Sequence, residues 1–356
     1  MECLCLRSAE KKPTAYVQLA GRVLFACHLA PSLWSKVRKL CQHEEIQSKQ
    51  KHIDRISHAI AAYVAPRLGT VSIHDVRDIW YRVHCCAHMI VDEEQVDVGM
   101  GLYLGNASEL NHSCMPNCMV QFCGSELVLR SLCWIPSQAE LTISYIDLLQ
   151  DRKSRRKELQ ERYFFHCECQ RCTNKGSEEH WTSDAFRCHP RTSGNKKRKP
   201  CKGLATPRTC RKCCKQQWTE DLERAGAQYK RAVSVEQWTE ALSIHLQWMH
   251  PLAFDRARVG KQVMYDAIAE GEFQKALWAA DSYLACLSYH LPLHHPELSH
   301  GHFAKARLTA LLSTHHDPTE EVEKLFAEAS KHLNVTHGSP KESQLHARLL
   351  GRDDFM

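Results

Sequence analysis

The feature that most constrains this fold is a Cys-x-Cys-x-x-Cys triplet formed by Cys167, Cys169 and Cys172. Charged and polar residues flank these thiols, which is unlike the apolar surroundings of a buried core cysteine and typical of a metal knuckle. Structural zinc prefers four ligands, so one more must come from a distant part of the chain. Cys114 is the strongest candidate, and we predict that these four sulfurs bind one zinc ion and thereby fix the segment before the triplet.

Cys114 lies in a second informative segment, Asn-His-Ser-Cys-Met-Pro-Asn-Cys at residues 111–118, about fifty residues before the triplet. Between the two, residues 140–145 read Glu-Leu-Thr-Ile-Ser-Tyr. Taken in order, the three segments offer a sulfur metal site, a polar surface that suits a nucleotide-like cofactor, and Tyr145 beside that surface. Taken without its neighbours, Tyr145 is better interpreted as a core aromatic residue of a strand.

A second cysteine group follows the triplet and has two interpretations. Its members are Cys188, Cys201, Cys210 and Cys213, with Cys214 or His189 as substitute ligands. Cys210 and Cys213 have knuckle spacing, whereas the first two cysteines are single. The segment is therefore either a second zinc insertion or an unstructured basic linker.

Composition places the chain among ordinary globular proteins, with 43% hydrophobic and 25% charged residues in a length of 356. No apolar run approaches the roughly 20 residues that span a bilayer, and the N-terminus has no signal-peptide pattern. The 19 cysteines are odd in number and lack a secretory context, so reduced thiols and metal ligands are expected. These properties predict a protein of the cytoplasm and nucleus that does not associate with membranes.

The basic character of the chain is confined to one segment. Residues 187–215 contain eleven Lys or Arg and no Asp or Glu, and without them the net charge of +6 becomes −5. Residues 195–200 read Asn-Lys-Lys-Arg-Lys-Pro, which is typical of a nuclear import signal or a solvated loop. Nucleic-acid binding is possible but less favoured, because no aromatic residue interleaves with these charges to stack on bases.

Periodicity predicts helices in the first part of the chain. Apolar residues recur at helical spacing over residues 14–90, including Ile60 and Val64 in a helix that Pro66 is expected to stop. Ser72 is a candidate N-cap for the following helix.

The sequence pattern then becomes strand-like and later returns to helical. Residues 119–123 and 126–130 flank a Gly-Ser turn as a hairpin, and residues 141–145 form a further short strand. Residues 152–163 are helix-prone. From residue 218 the pattern is helical again, and the segment from Gly271 resembles the turn and second helix of a tetratricopeptide-type repeat.

These motifs together resemble the SET and MYND domain (SMYD) lysine methyltransferases, and the resemblance covers nearly the whole chain. The matching segments are residues 98–103, 111–117, 140–147, 155–159 and 163–172. The resemblance implies an α+β fold with a small β-rich SET core, a helical insertion, a zinc-binding post-SET segment and a C-terminal all-helical tetratricopeptide-like domain. The implied divisions are residues 1–95 (helical insertion), 96–150 (core SET), 151–175 (post-SET), 176–217 (linker or second zinc insertion) and 218–356 (C-terminal domain).

The resemblance also implies roles for individual residues. Asn111 and His112 would contact S-adenosylmethionine, with Ser108 as a further candidate, and Phe165 would stack on its adenine. Tyr145 would be the active-site tyrosine, and Tyr163 would line the channel that admits the substrate lysine. Cys114, Cys167, Cys169 and Cys172 would hold the post-SET zinc.

Two departures from the family pattern shape our expectations. The chain starts after the first SET segment and the MYND finger of the family, with Cys3 as a residual finger ligand, and Gln138-Ala139 replaces the usual Gly-Glu. We therefore expect these 356 residues to bind cofactor weakly or not at all. The implied activity is protein-lysine N-methylation of a histone or other protein. The alternative is a non-catalytic scaffold that recruits protein partners through the C-terminal helical domain.

Overall fold

The computed structural model describes residues 5–7, 12–49, 51–92, 96–105, 107–174, 186–188, 204–205, 210, 212–213, 219–313, 320–339 and 343. The described residues form the predicted α+β fold, with a helical first part, several small sheets and a helical C-terminal part. None of the described helices is both long and apolar enough to cross a lipid bilayer.

The first part of the chain is a helical layer. Its helices are α1 (Ala15–Leu29), α2 (Leu33–Val37), α3 (Glu44–Gln47), α4 (Ile53–Leu68) and α5 (Ile73–Cys86). Helices α1, α4 and α5 enclose a common apolar core. Gly21 of α1 lets Tyr63 approach closely, since a Cβ atom there would lie 2.7 Å from the Tyr63 Cε1 atom.

The predicted stop at Pro66 is wrong, because α4 continues to Leu68. Proline lacks an N–H donor and crowds the carbonyl four residues earlier, but in a last turn it removes only one helical hydrogen bond. The helix ends instead at Gly69, which has a φ of 66° and donates its N–H to the Ala65 carbonyl at 2.9 Å. Ser72 is at the N-cap position of α5 as predicted, but its side chain makes no capping hydrogen bond.

Three two-stranded sheets follow. Strands β1 (His88–Val91) and β2 (Asp97–Gly101) are antiparallel. The predicted hairpin is confirmed as β4 (Cys118–Cys123) and β5 (Glu126–Ser131). The short strand predicted at residues 141–145 pairs only over β6 (Thr142–Ile143), in parallel with β3 (Asn111–His112).

The β3–β6 pairing brings the two polar motifs together. The Ser113 N–H donates to the Ile143 carbonyl at 2.9 Å. The Asn117 side-chain oxygen accepts from the Thr142 N–H at 2.8 Å, and its amide nitrogen donates to the Glu140 carbonyl at 2.8 Å. Two segments that are distant in sequence therefore become neighbours.

The loop before β6 contains a strained position. Gln138 is exposed and has a φ of 66°, a left-handed conformation that costs a non-glycine residue about 1 kcal/mol. We expect Gln138→Gly to raise the free energy of unfolding by about 0.5–1 kcal/mol, because glycine adopts this conformation without a Cβ clash. Urea denaturation measures the change. Gln138→Ala is the matched control, and an equal gain in that variant would contradict the strain argument.

Helix α6 (Arg152–Arg162) confirms the helix predicted over residues 152–163, and α7 (Gln170–Thr173) follows within the cysteine triplet. Asp151 caps α6 by accepting the Ser154 N–H at 3.0 Å. A small antiparallel sheet of β7 (Phe186–Arg187) and β8 (Leu204–Ala205) lies between this segment and the C-terminal helices.

The C-terminal part is a series of helices packed in sequence order. They are α8 (Thr219–Ser234), α9 (Trp238–Trp248), α10 (Asp255–Ala269), α11 (Phe273–His290), α12 (Pro296–Leu312) and α13 (Glu320–Thr336). The turn predicted at Gly271 is present between α10 and α11, with a φ of 75°. After α13 the His337 carbonyl accepts from Gln121 Nε2 of β4 at 3.3 Å, so the end of this helix meets the β4–β5 hairpin.

Candidate metal centre and active site

The four cysteines predicted to share one metal ion converge. The sulfurs of Cys114, Cys167, Cys169 and Cys172 all lie within 4.8 Å of one another. Cys114 Sγ and Cys172 Sγ are 3.6 Å apart, although 58 residues separate them in sequence. Four sulfurs in this arrangement are the donor set of a tetrahedral structural zinc site.

Local structure brings the triplet into this arrangement. Cys169 precedes α7 in an extended conformation, and its carbonyl accepts from the Cys172 N–H at 2.9 Å, which folds the knuckle back on itself. Hydrogen bonds among the four thiols lower the pKa of Cys169 and Cys172 and raise the pKa of Cys114 and Cys167. The thiolate is the form that binds metal. The donor set of four converging sulfurs fits zinc.

An aromatic group lies directly before the triplet. The ring of Tyr145 is 4.9 Å from that of Tyr163 and meets Phe165 edge to face at 6.4 Å between centroids. The Tyr145 hydroxyl donates to the Leu110 carbonyl, and the Tyr163 hydroxyl donates to the Tyr145 carbonyl at 3.1 Å. The structure thus brings together the three aromatic residues predicted for the active site.

His112 connects this aromatic group to the cysteines. Its Nδ1 accepts from the Tyr145 N–H at 3.1 Å, which leaves Nε2 to donate to Cys114 Sγ at 3.3 Å. Burial lowers the pKa of His112 to about 4, so the imidazole is neutral at neutral pH. The ring centroid lies 6.1 Å from that of Phe165.

Burial also determines the protonation state of the two tyrosine hydroxyls. It raises the pKa of Tyr145 far above its ordinary value, and it raises the pKa of Tyr163 to about 12. Both hydroxyls therefore stay protonated and can act as hydrogen-bond donors through the whole range in which lysine loses its proton.

Phe164 sets the direction of the two neighbouring rings. It has a φ of 62°, which is unusual for a bulky residue and is the kind of strain found at functional sites. Its own ring is buried against His43 and His84 of the first helical layer, each 5.8 Å away between centroids. The reversal lets Tyr163 and Phe165 both face Tyr145.

The predicted cofactor residues occupy two different surroundings. Asn111 is exposed and donates its side-chain amide to the Glu140 carboxylate at 2.6 Å. Ser108 is buried, and its hydroxyl accepts the Tyr103 N–H at 2.9 Å. His112 and half-buried Phe165 contact the Tyr145 ring, whereas Ser108 lines a cavity that Tyr145 also lines.

That cavity has a volume of about 540 Å³ and separates the SET core from the C-terminal helices. Ser108, Leu110, Tyr145 and Tyr163 form part of its SET wall, and Cys85 and Cys86 of α5 also contribute. The opposite wall comes from α10, α11 and α12 and includes Lys261, Tyr283, Glu297 and His300.

Sequence reasoning missed this second wall. Glu297 accepts from Lys261 Nζ at 2.9 Å, and this ion pair lowers the pKa of Glu297 despite its burial. Both residues lie on helices whose packing against the SET core is not visible in helical periodicity. The only signal was the position of Pro296 and Glu297 at the start of a helix.

The second cysteine group is compact where it is described. The sulfurs of Cys188, Cys210 and Cys213 lie within 4.8 Å of one another. Cys201, His189 and Cys214, the other predicted ligands, lie outside the described residues. Phe186 is only 3% exposed and pairs with Met249 in a β-bridge. At these positions the insertion is packed on the C-terminal helices, which favours the metal insertion over the linker.

Comparison with known proteins agrees with the predicted SET domain. The SET domain family matches residues 18–146. Histone-lysine N-methyltransferase SMYD3 of Homo sapiens is 34% identical over 183 residues, which cover 48% of this chain and 42% of that protein. N-lysine methyltransferase SMYD2 of Homo sapiens is 29% identical over 178 residues, covering 47% and 40%. Histone-lysine N-methyltransferase ASHR1 of Arabidopsis thaliana is 24% identical over 384 aligned positions, covering 98% and 78%.

The small sheets, the paired polar motifs and the cysteine cluster beside them define a SET-domain protein. Within this class, the chain is similar to the lysine methyltransferases SMYD3, SMYD2 and ASHR1. Its aligned segments span about two fifths of the length of SMYD3 and of SMYD2.

Proposed function

We propose that this protein is an S-adenosylmethionine-dependent protein-lysine N-methyltransferase. The observation that carries the proposal is the surroundings of Tyr145, whose ring contacts those of His112, Tyr163 and Phe165 and which also lines the cavity of about 540 Å³. Methyl transfer requires the methyl donor and the amine to meet in line, and a residue that borders both groups can orient them. The similarity to enzymes named lysine methyltransferases supports the same conclusion.

Asn111, His112 and Phe165 fit the predicted cofactor. Phe165 offers a half-exposed aromatic face for an adenine ring, and aromatic faces also tolerate cations. Asn111 has an exposed amide for polar groups, and neutral His112 adds no positive charge beside a sulfonium. S-adenosylmethionine, when bound, supplies the electrophilic methyl group.

Leu110, Tyr145 and Tyr163, which line the cavity, would prepare the amine. A lysine nucleophile must be neutral, and a channel walled by Tyr145 and Tyr163 favours the neutral form by removing water. The Leu110 carbonyl and the Tyr145 hydroxyl can orient the amine. No protein nucleophile is required, so catalysis rests on positioning and electrostatics.

The cavity behind these rings would receive the protein segment that carries the lysine. It is bounded by both the SET core and the C-terminal helices, and it contains acidic, basic and aromatic side chains. We propose a protein substrate, either a histone or another protein, in agreement with the names of the relatives. Zinc at the four-cysteine cluster would hold one wall of this site, and a second zinc would stabilise the insertion around Cys188.

Methyl transfer from labelled S-adenosylmethionine to a mixed protein pool tests the proposal. We expect label on lysine side chains, identified by mass spectrometry of digested substrates. The proposal fails if the folded wild-type protein, supplied with millimolar cofactor, gives no lysine methylation.

A scaffold role for the C-terminal helices is the second candidate. Trp278 and Tyr289 of α11 and Leu293 after it are exposed, with Leu293 at 65%. Exposed apolar side chains can contribute to protein interfaces. A scaffold should capture its partner equally well as wild type and as Tyr145→Phe. If neither protein methylates lysine in the same assay, scaffolding is favoured over catalysis.

The basic run at residues 187–215 is described only in part, and residues 195–200 lie outside the described residues. We propose that it directs nuclear import, with the protein distributed between cytoplasm and nucleus, and we favour this over nucleic-acid binding. Deletion of residues 195–200 should abolish nuclear accumulation of a fluorescent fusion. Unchanged accumulation would end the import proposal.

The pH dependence of methyl transfer should follow the ionisation of the substrate lysine and not that of Tyr145 or Tyr163. The rate is expected to rise about tenfold per pH unit below the lysine pKa, because the deprotonated amine is the nucleophile. No fall should follow up to about pH 10, since burial raises the pKa of Tyr145 and Tyr163 above that range. Initial rates in buffers of constant ionic strength measure this, and a bell-shaped profile with a falling limb near pH 9 would contradict it.

A further inference from the structure

The helix that precedes the cysteine triplet contains a completely buried cation. Arg155 of α6 is 0% exposed and is among the largest side chains with no solvent contact. Its Nε donates to Cys114 Sγ at 3.3 Å, and its Nη2 lies 3.9 Å from Cys172 Sγ. Its Nη1 donates to the Gln150 carbonyl at 2.5 Å.

Neutral thiols are poor partners for such a group. A buried guanidinium loses its hydration, which costs several kcal/mol unless negative charge offsets the loss. A thiol sulfur is only a weak acceptor, whereas a thiolate carries full negative charge. Four thiolates on one Zn²⁺ have a net charge of −2, and an adjacent guanidinium would reduce this to −1.

We propose that Arg155 is the charge partner of the four-cysteine metal site and joins its two distant halves. This inference rests on the proposed zinc site. Cys114 comes from the motif at residues 111–118 and Cys172 from the triplet, and the planar fork of Arg155 reaches a sulfur of each. Outer hydrogen bonds of this kind orient metal ligands and tune their charge.

Neighbouring arginines have a different role, which sets Arg155 apart. Arg156 Nη2 and Arg152 Nη1 each donate to the Cys172 carbonyl at 3.2 Å. Arg171 Nη1 donates to the Cys114 carbonyl at 3.3 Å. These three hold the backbone of the ligands, whereas Arg155 acts on the sulfurs.

The same sulfur links Arg155 to the active site. Cys114 Sγ accepts from Arg155 Nε and from His112 Nε2, both at 3.3 Å, and His112 in turn accepts from the Tyr145 N–H. A change in the charge on this sulfur would therefore alter the hydrogen bond that orients His112. Arg155 is thus a positioning residue for the site and not a catalytic one.

Zinc competition with a colorimetric chelator, performed on the full chain, tests the proposal. The phase of zinc release that is lost in Cys172→Ser is assigned to the four-cysteine cluster. The phase that remains is assigned to the second cysteine group. Arg155→Met should weaken zinc binding in that phase by about 10- to 100-fold. Lys157→Met, an exposed position on the same helix, is the matched control and should leave the phase unchanged.

Arg155→Lys is a second variant that keeps a positive charge at this buried position. It therefore separates the loss of the planar guanidinium from the loss of charge. Because lysine lacks the planar fork, it should weaken zinc binding less than methionine does and more than Lys157→Met. Zinc affinity within about threefold of wild type in both Arg155 variants would overturn the proposal. Absence of any phase that Cys172→Ser removes would instead overturn the zinc site itself, and with it this inference.

Discussion

Replacing Tyr145 with phenylalanine is expected to reduce methyl transfer by at least about 100-fold. The variant loses only the hydroxyl that donates to the Leu110 carbonyl, and the ring contacts with Tyr163 and Phe165 remain. The amine of the substrate lysine would then lack one of the groups that orient it. Initial rates with labelled S-adenosylmethionine, at a cofactor concentration that saturates the wild type, measure the loss.

Two controls separate chemistry from folding in this experiment. Tyr289→Phe removes a hydroxyl from a tyrosine that is 53% exposed on α11, and its rate should equal that of the wild type. The midpoint of urea denaturation should change little in Tyr145→Phe, because the ring still fills its site. A rate loss below about threefold would remove Tyr145 from the catalytic site.

Replacing Cys172 with serine should have the largest effect on stability. Structural zinc contributes directly to folding free energy, so loss of one thiolate should cost at least about 3 kcal/mol. It should also loosen Tyr163 and Phe165, which precede the triplet, and abolish methyl transfer. Urea denaturation with and without a chelator measures the effect, because the chelator should destabilise the wild type far more than the variant.

Cys133→Ser is the matched control for this prediction. Cys133 is exposed in the loop after β5 and lies in neither sulfur cluster. Its replacement should change neither the zinc content nor the response to chelator. If Cys172→Ser and Cys133→Ser have equal stability, the cluster is not a structural metal site.

The cysteine cluster was predictable because ligand chemistry restricts which residues can meet. A triplet of thiols needs a fourth partner, and Cys114 lies in a motif with polar neighbours that are poorly suited to a core. Knuckle spacing carried the prediction without any knowledge of the path of the chain between the two segments. The same reasoning found three described members of the second group, since Cys210 and Cys213 share that spacing.

The cavity wall and the outer partners of the cysteines were not predictable in the same way. Lys261 and Glu297 come from different helices, and helical periodicity does not state which helix faces the SET core. Arg155 lies among other arginines of α6, and nothing in their spacing distinguishes the buried one from Arg156. Their positions depend on tertiary packing.

Backbone conformation explains the remaining differences. Pro66 was expected to end a helix, but the cost of a proline falls when it lies in the last turn, and the core contacts of Ile60 and Val64 outweigh it. Phe164 was an unremarkable aromatic residue in the sequence, yet its left-handed backbone directs the rings on either side of it. Such strain is decided by the surroundings and has no local sequence signal.

Native mass spectrometry of the purified 356-residue chain, with its metal content counted, tests the central claim most directly. We predict two zinc ions per chain, and one in the Cys172→Ser variant, with the surviving ion held by the group around Cys188. A chain that is free of metal and that still unfolds cooperatively in urea would contradict the account, because the fold around the four sulfurs would then be stable without an ion.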